Sequence, residues 1–357
     1  MSVYKRFPEI IEAARKAFAG EKTYFSLISG DSLDKISFYG IKNPQILRDL
    51  DEKYEITEDL TISNILILNN HGLDNSYLWH LIDKSGFSGT RIIWCRDNHL
   101  GEIANLRSVI EADFVIPAHS GCSNYLLNAR SVRGPTVPWQ MLYETAEMAT
   151  RLRQTLGSPR QTRVFGGYMS YGFAKRTNFL SGLSQHADIF DIKLNSREKQ
   201  DTEYFKMSRE DILNQWLSYK TSIAVPINGD LSPRIAMGLC AGQTVLVSDE
   251  IQDLDMVFPP SLRNELGIFK FSPSAGIEEL KSIARQAVQV FDEEGREGVL
   301  KRHAYAMENH TNERRIHTIL QSVEKIADGR LAVVMQAYPD GVGMTVDYGN
   351  PDIRIAL

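Results

Sequence analysis

Short apolar runs of five or six residues alternate with stretches of helical period along nearly the whole 357-residue chain. The runs are rich in Ile, Val, Leu and aromatic residues, and they predict strands at 23–28, 64–68, 91–95 and 113–117. Helical patterns fall between them, near 43–53, 75–85, 101–111 and 121–130, and an amphipathic helix is predicted over the first twenty residues. A long helical stretch, roughly 140–156, ends at Gly157-Ser158-Pro159, a combination that stops helices and marks a boundary. The alternation then resumes. Strands are predicted at 162–165, 189–194, 222–227, 244–247 and 268–271, with helices near 173–185, 208–219, 232–241, 276–293 and 311–327. The tail from Gly329 carries Pro, Gly and short apolar runs, and reads as a few extra strands.

Strand-helix alternation is the signature of parallel sheets with helices on both faces. The expected class is therefore α/β: two doubly wound, Rossmann-like domains, 1–157 and 158–328, followed by a β-rich tail, 329–357. Such domains bind ligands beyond the carboxyl ends of their strands, and two of them joined by one linker can face each other across a cleft.

Composition narrows the function. Apolar residues make up 43% and charged residues 24%, which excludes a disordered, collagen-like or coiled-coil chain. Lys and Arg total 40 against 45 Asp and Glu, so the net charge of −5 argues against a general nucleic-acid binder. Three cysteines, Cys95, Cys122 and Cys240, are too few for a disulfide framework and point to a cytoplasmic protein with reduced thiols. No apolar run is long enough to span a membrane, although peripheral contact with a membrane surface stays open. Oligomeric state is not legible.

Between 149 and 187 there is no Asp or Glu, but there are Arg151, Arg153, Arg160, Arg163, Lys175 and Arg176. At the centre of this stretch, directly after a predicted strand, stand Gly166 and Gly167. A Gly-rich turn there would expose backbone N–H groups, and Lys175 and Arg176 at a helix start would add positive charge, together forming a phosphate or diphosphate site. The alternative is a solvated basic face with an ordinary turn. The spacing fits neither the P-loop nor the dinucleotide fingerprint.

A second strand leads into Asn228-Gly229-Asp230-Leu231-Ser232-Pro233-Arg234. Ser232 is a good N-cap and Pro233 a good first helical residue. Arg234 then places a cation in the first turn, against the helix dipole, and a residue set against local preference hints at function. The alternative is a capped surface turn in which Asp230 and Arg234 pair.

The segment from Ser222 to Glu250 resembles the C-terminal core of GT-B glycosyltransferases, and is most similar to the spore-coat maturation glycosyltransferase group. His310-Thr311-Asn312-Glu313-Arg314-Arg315-Ile316-His317 resembles that family's closing helix, which crosses back towards the first domain. Gly166-Gly167 followed by Arg176-Thr177-Asn178 is similar to its Gly turn and Arg. Weaker echoes lie around Asp97 and His119. The likeness covers about 64–327 and is specific only in the C-terminal half.

The resemblance implies transfer of a sugar from a nucleotide-sugar donor to a glycan, lipid-linked or protein acceptor, with no metal and no bound cofactor. The donor would lie in the second domain, on Gly166, Gly167, Lys175, Arg176, Asn228, Gly229, Asp230 and Arg234. Cations and helix N-termini would stabilise the charge that builds on the leaving phosphate. Many family members carry a Glu for the donor ribose where this chain has Met237, so Asp249 or Glu250 would have to serve instead, or the donor is unusual, or the site has decayed. For a general base, predicted strand ends offer His71, Asp97, His99 and His119, and Asp31 and Asp34 follow the first strand; Asp97 and His71 lead, with His99 beside them. Rival readings are a nucleotide-sugar epimerase on the same frame and a non-catalytic binding or scaffold protein.

Two stretches spell metal motifs. Cys95, His99, His119 and Cys122 have zinc-like spacing, but Cys95 is expected to face a sheet core. Asp253-Leu254-Asp255 spells the D-x-D of metal-dependent transferases, and is read as a loop with two solvated acids.

Overall fold

The computed structural model describes residues 6–29, 49–69, 82–95, 112–118, 131–135, 137, 145–170, 173–196, 206–338 and 341–346. The chain forms two compact units, each an α/β sheet structure. Unit 1 comprises Met1–Trp139 together with Asn312–Leu357, and unit 2 comprises Gln140–Thr311.

Unit 1 contains α1 (Arg6–Phe18), β1 (Thr23–Ser29), β2 (Tyr54–Ile56), β3 (Ile65–Asn69), β4 (Thr90–Cys95), β5 (Phe114–Pro117) and β6 (Val132–Arg133). Its strand order is β12-β13-β6-β5-β4-β3-β1-β2 when the late hairpin, β12 (Val333–Tyr338) and β13 (Gly341–Val346), is included. All pairings are parallel except β12 with β13. The period-2 alternation of each strand divides its side chains between two apolar faces. Phe25, Leu27, Ile65, Ile67, Ile92 and Trp94 pack with α1 and with the late helix Asn312–Ala327. Ile28, Leu66, Leu68, Ile93, Cys95 and Val115 face the opposite layer.

Unit 2 contains α2 (Thr145–Thr155), β7 (Gln161–Ser170), α3 (Ala174–Ser184), β8 (Phe190–Ser196), α4 (Arg209–Leu217), β9 (Tyr219–Ala224), α5 (Pro233–Cys240) and β10 (Thr244–Ser248). It continues with α6 (Leu254–Val257), α7 (Pro260–Leu266), β11 (Ile268–Phe271) and α8 (Ile277–Asn309); the helix Asn312–Ala327 of unit 1 is α9. The all-parallel sheet runs β11-β10-β9-β7-β8. Leu180 and Leu183 of α3, with Leu280, Ala284 and Ala287 of α8, cover one face. On the other face α5 sits so close that a Cβ at Gly238 would meet Ser222 Oγ at 2.5 Å and Val245 Cγ2 at 2.9 Å.

Counting strands from the start of each unit, the first five strands of both sheets follow the order 2-1-3-4-5, and the first sheet continues with β6, β13 and β12. The chain first winds outwards from strand 1, then reverses across it, so the switch point lies between strands 1 and 3. In unit 2 that is the junction of β7 and β9.

Three expectations change. The stop at Gly157-Ser158-Pro159 ends a helix and not a domain: α2 groups with unit 2, whose bounds begin at Gln140. The late helix α9 belongs to unit 1, because Ile316, Ile319, Leu320, Val323 and Ile326 complete that unit's core. The described part of the tail carries the extra strands expected there, β12 and β13, and β13 pairs with β6 of the first sheet. The helix predicted to end near 293 meets a real break at Gly295 (φ 54°, ψ −137°) and then continues to Asn309.

Candidate anion site at the switch point of unit 2

Strand β7 is longer than its neighbours allow. It pairs with β9 only as far as Phe165–Ser222, yet runs on with β8 to Ser170–Ser196. Gly166 and Gly167 therefore lie inside a strand, and the expected Gly-rich turn is absent there. The reason for glycine is room, not turning. A Cβ at Gly166 would meet Ile192 Cδ1 at 2.8 Å and Tyr168 Cε2 at 2.9 Å, so the missing side chain leaves space for the Tyr168 ring.

Tyr168 is buried (1% exposed) and fills the gap where β7 leaves β9. Its hydroxyl donates to Ile223 O at 2.7 Å and accepts from Val225 N at 3.1 Å, taking over bonds that a neighbouring strand would make. Burial raises its pKa, so the phenol stays protonated.

Two guanidinium groups gather on this ring. Arg234 Cζ stands 4.3 Å from the ring centroid and Arg176 Cζ stands 5.4 Å from it. Each is also tied to a carbonyl of β7 beyond its pairing with β9: Arg234 Nε donates to Gly167 O at 2.9 Å, and Arg176 Nη2 donates to Met169 O at 2.6 Å. Arg176 is buried and Arg234 half-buried. A guanidinium carries its N–H donors in a planar fork, so these bonds fix the orientation of both groups.

The loop after β9 is equally determined by its residues. Asp230 N donates to Ile227 O at 3.0 Å, closing a turn whose central residues Asn228 (φ 50°) and Gly229 (φ 79°) both have positive φ. Asn-Gly is the pair that tolerates this geometry best. Asp230 Oδ1 accepts from Ile227 N at 2.6 Å, fixing the turn from inside. Ser232 then caps α5, its hydroxyl accepting from Arg234 N at 3.4 Å, with Pro233 in the first helical turn as expected.

Beside these groups lies a cavity of about 350 Å³. Phe173, Lys175, Arg176 and Phe179 line it from the α3 side, Pro226, Ile227, Asn228 and Gly229 from the loop, and Glu250 and Gln252 from the segment after β10. Phe173, the N-cap residue of α3, provides no side-chain cap, and the first turn carries no acid. The partial positive charge of the helix start thus joins Lys175 and Arg176 at the cavity. Lys175 Nζ pairs with Glu250 Oε1 at 2.6 Å, but Lys175 is 80% exposed, so the pair is weak and readily exchanged. The cavity in unit 1 has the opposite character: Asp49, Asp51, Glu52 and Glu55 line it with Lys22 and Tyr54. An anion favours unit 2.

Of the expected donor-site residues, Lys175, Arg176, Asn228 and Gly229 meet at the cavity. Arg234 joins Arg176 on Tyr168, Asp230 holds the turn, and Gly166 and Gly167 shape β7. The proposed bases Asp97, His71 and His99 lie outside the described residues, as do His119, Cys122, Asp31 and Asp34. Cys95 is buried in an apolar cluster, which pushes its thiol up to about 12. Of the two acids expected to be solvated, Asp255 is exposed and pairs with Arg263 at 2.5 Å, whereas Asp253 is buried, 3% exposed. Among the described residues no three His, Cys, Asp or Glu side chains are placed to hold a metal ion, and no helix is long and apolar enough to cross a membrane.

Tyr168 and Gln252 were missed. The signal for Tyr168 was present in Gly166: two glycines within a strand, next to a bulky aromatic, indicate side-chain room.

No protein-family model matches the chain, and no curated protein matches its sequence. Among solved structures it is similar to a sucrose-phosphate synthase from Thermosynechococcus elongatus, at 11% identity and a TM-score of 0.45, covering 92% of this chain and 93% of that one. It is also similar to WaaG, a glycosyltransferase involved in lipopolysaccharide biosynthesis, at 10% identity and a TM-score of 0.41, covering 88% and 95%. A match to the GtfA/B complex, at 10% identity and a TM-score of 0.39, covers 74% of this chain and only 57% of the GtfA/B chain. Likeness at this level decides neither activity nor substrate.

Proposed function

We propose that the protein is a metal-independent glycosyltransferase that takes a sugar from a nucleotide-sugar donor to a glycan, lipid-linked or protein acceptor. The observation that carries this reading is the pair Arg176 and Arg234, held on one buried tyrosine at the topological switch point of unit 2, beside a cavity that the N-terminus of α3 enters. Doubly wound sheets bind ligands at that point, outside the carboxyl ends of their strands.

The chemistry follows from the charges. When the bond between the sugar and the donor phosphate breaks, negative charge builds on the phosphate oxygens. Fixed guanidinium groups and helix N–H groups stabilise that charge most when water is excluded and no reorganisation is needed. Arg176, Arg234, Lys175 and the start of α3 are assigned that role. Glu250 lines the same cavity and is assigned the donor ribose hydroxyls, in place of the Glu expected where Met237 stands. The donor's approach would free it from Lys175. Asp97, His71 and His99 remain the proposed bases on sequence grounds alone.

A second reading, a non-catalytic nucleotide-sugar binder, is favoured by one observation: Met237, half-buried on α5, has no carboxylate to offer a ribose. Thermal melts with UDP, GDP, ADP, CMP and dTDP, with and without a divalent metal, test both readings. A ligand at about a hundred times its dissociation constant adds about 2.7 kcal/mol of stability. One nucleotide is expected to raise the melt equally with and without metal; silence from the whole panel would count against donor binding. Release of that nucleotide from its sugar conjugate then separates a transferase from a binder.

A further inference from the structure

We propose that Tyr168 is the positioning residue of the anion site, acting on the ligand only through Arg176 and Arg234. The inference rests on the anion-binding reading above and goes beyond it, because it names the residue that gives the two cations their place.

Two positive groups repel one another, and neither stands where it does by chain connectivity alone. Arg176 comes from α3 and Arg234 from α5, helices on opposite faces of the sheet. What they share is the Tyr168 ring and the carbonyls on either side of it, Gly167 O and Met169 O. The ring's π-face attracts each guanidinium and offsets part of their repulsion. The hydroxyl anchors the ring: it donates to Ile223 O and accepts from Val225 N, at the end of the β7 pairing with β9. Beyond that pairing the carbonyls of Gly167 and Met169 accept from the arginines. The phenol and the glycine next but one before it act together: Gly166 provides the space in which the ring lies.

The ring and the hydroxyl can be tested separately. Inorganic pyrophosphate is the probe, titrated calorimetrically into the full chain at low temperature. Tyr168→Leu removes the ring and is expected to weaken binding about tenfold. Tyr168→Phe keeps the ring and is expected to stay within about threefold of the parent while melting earlier. In an Arg176→Ala/Arg234→Ala background, Tyr168→Leu is expected to have no further effect on pyrophosphate affinity. A purely structural tyrosine would instead lower affinity by the same factor in both backgrounds, and that result would overturn the proposal. So would equal losses from Phe and Leu, which would take the role away from the ring. If Tyr168→Leu does not fold, the Phe variant and its comparison with the double arginine variant still decide: a Phe variant as weak as that double variant would overturn it. Failure of the unmodified protein to bind pyrophosphate would overturn the anion site itself, and this role with it.

Discussion

Arg234 Nε donates to Gly167 O across 2.9 Å, joining the first turn of α5 to a strand 67 residues earlier. The bond forms where β7 has already parted from β9, so the carbonyl is open to a side chain. A cation in the first turn of a helix works against the local dipole. Its cost is offset by this bond and by the Tyr168 ring.

Arg176→Ala and Arg234→Ala are each expected to weaken nucleoside-diphosphate binding about tenfold or more, since a charge-assisted bond contributes roughly 1.5–3 kcal/mol. Calorimetric titration of each variant with the nucleotide found in the melts is the check. Unchanged affinity in both variants would remove the site.

Gly229→Ala is expected to destabilise unit 2 by about 1–2 kcal/mol and to weaken ligand binding with it. The alanine would have to adopt φ 79°, and its Cβ would stand 2.8 Å from Gln252 Cγ. Asn228→Gly, at the preceding positive φ, should be nearly neutral to stability. Denaturant midpoints of the two variants, measured side by side, test the geometry of the turn.

Arg302 is fully buried on α8, where it contacts Glu294 and donates from Nε to Gly242 O at 3.0 Å. Burial alone would raise the pKa of Glu294, but the hydrogen bonds from Lys301 and Arg302 outweigh it and hold the carboxylate low. Glu294→Ala strands a buried cation and is expected to cost about 3–5 kcal/mol. Replacing both residues with apolar ones should recover most of that loss; if it does not, the pair contributes more than mutual neutralisation.

Stability is expected to fall as pH drops from 7 towards 5. Burial, assisted by Arg153 at His303 and by Arg314 at His317, lowers the pKa of both histidines below the ordinary value. The unfolded chain then binds more protons than the folded one around pH 6.5, so the slope of stability against pH is positive there. In His303→Asn and His317→Gln the melting temperature should depend less steeply on pH across that window. An unchanged slope in the double variant would place its origin elsewhere.

The fold class was legible because parallel strands buried on both faces must be apolar throughout. Runs such as Ile65-Leu66-Ile67-Leu68 declare themselves. The short strands Tyr54–Ile56 and Val132–Arg133 were not legible, since two or three residues carry no period. The site was half legible. Arg176, Lys175 and the Asn228–Arg234 loop stood out by charge and by turn chemistry. The role of Gly166 was misread, because a glycine that leaves room for a ring and a glycine that turns the chain are the same letter. Their difference lies in whether the neighbouring strands still pair, which the sequence does not state. The division of the units was hidden for a similar reason: the apolar stripe of α9 shows that the helix must pack, but not on which sheet.

That helix sets an order of events during synthesis. Unit 2 is continuous in the chain and can be complete once Thr311 has left the ribosome. Unit 1 is translated first yet lacks a layer of its core until Asn312–Ala327 arrives, so its sheet waits with Phe25, Leu27, Ile65 and Ile67 incompletely covered. The portion made first is the portion finished last, and a chain stalled after Thr311 has emerged but before Asn312–Ala327 has would present its exposed first sheet to chaperones while its second unit is already folded.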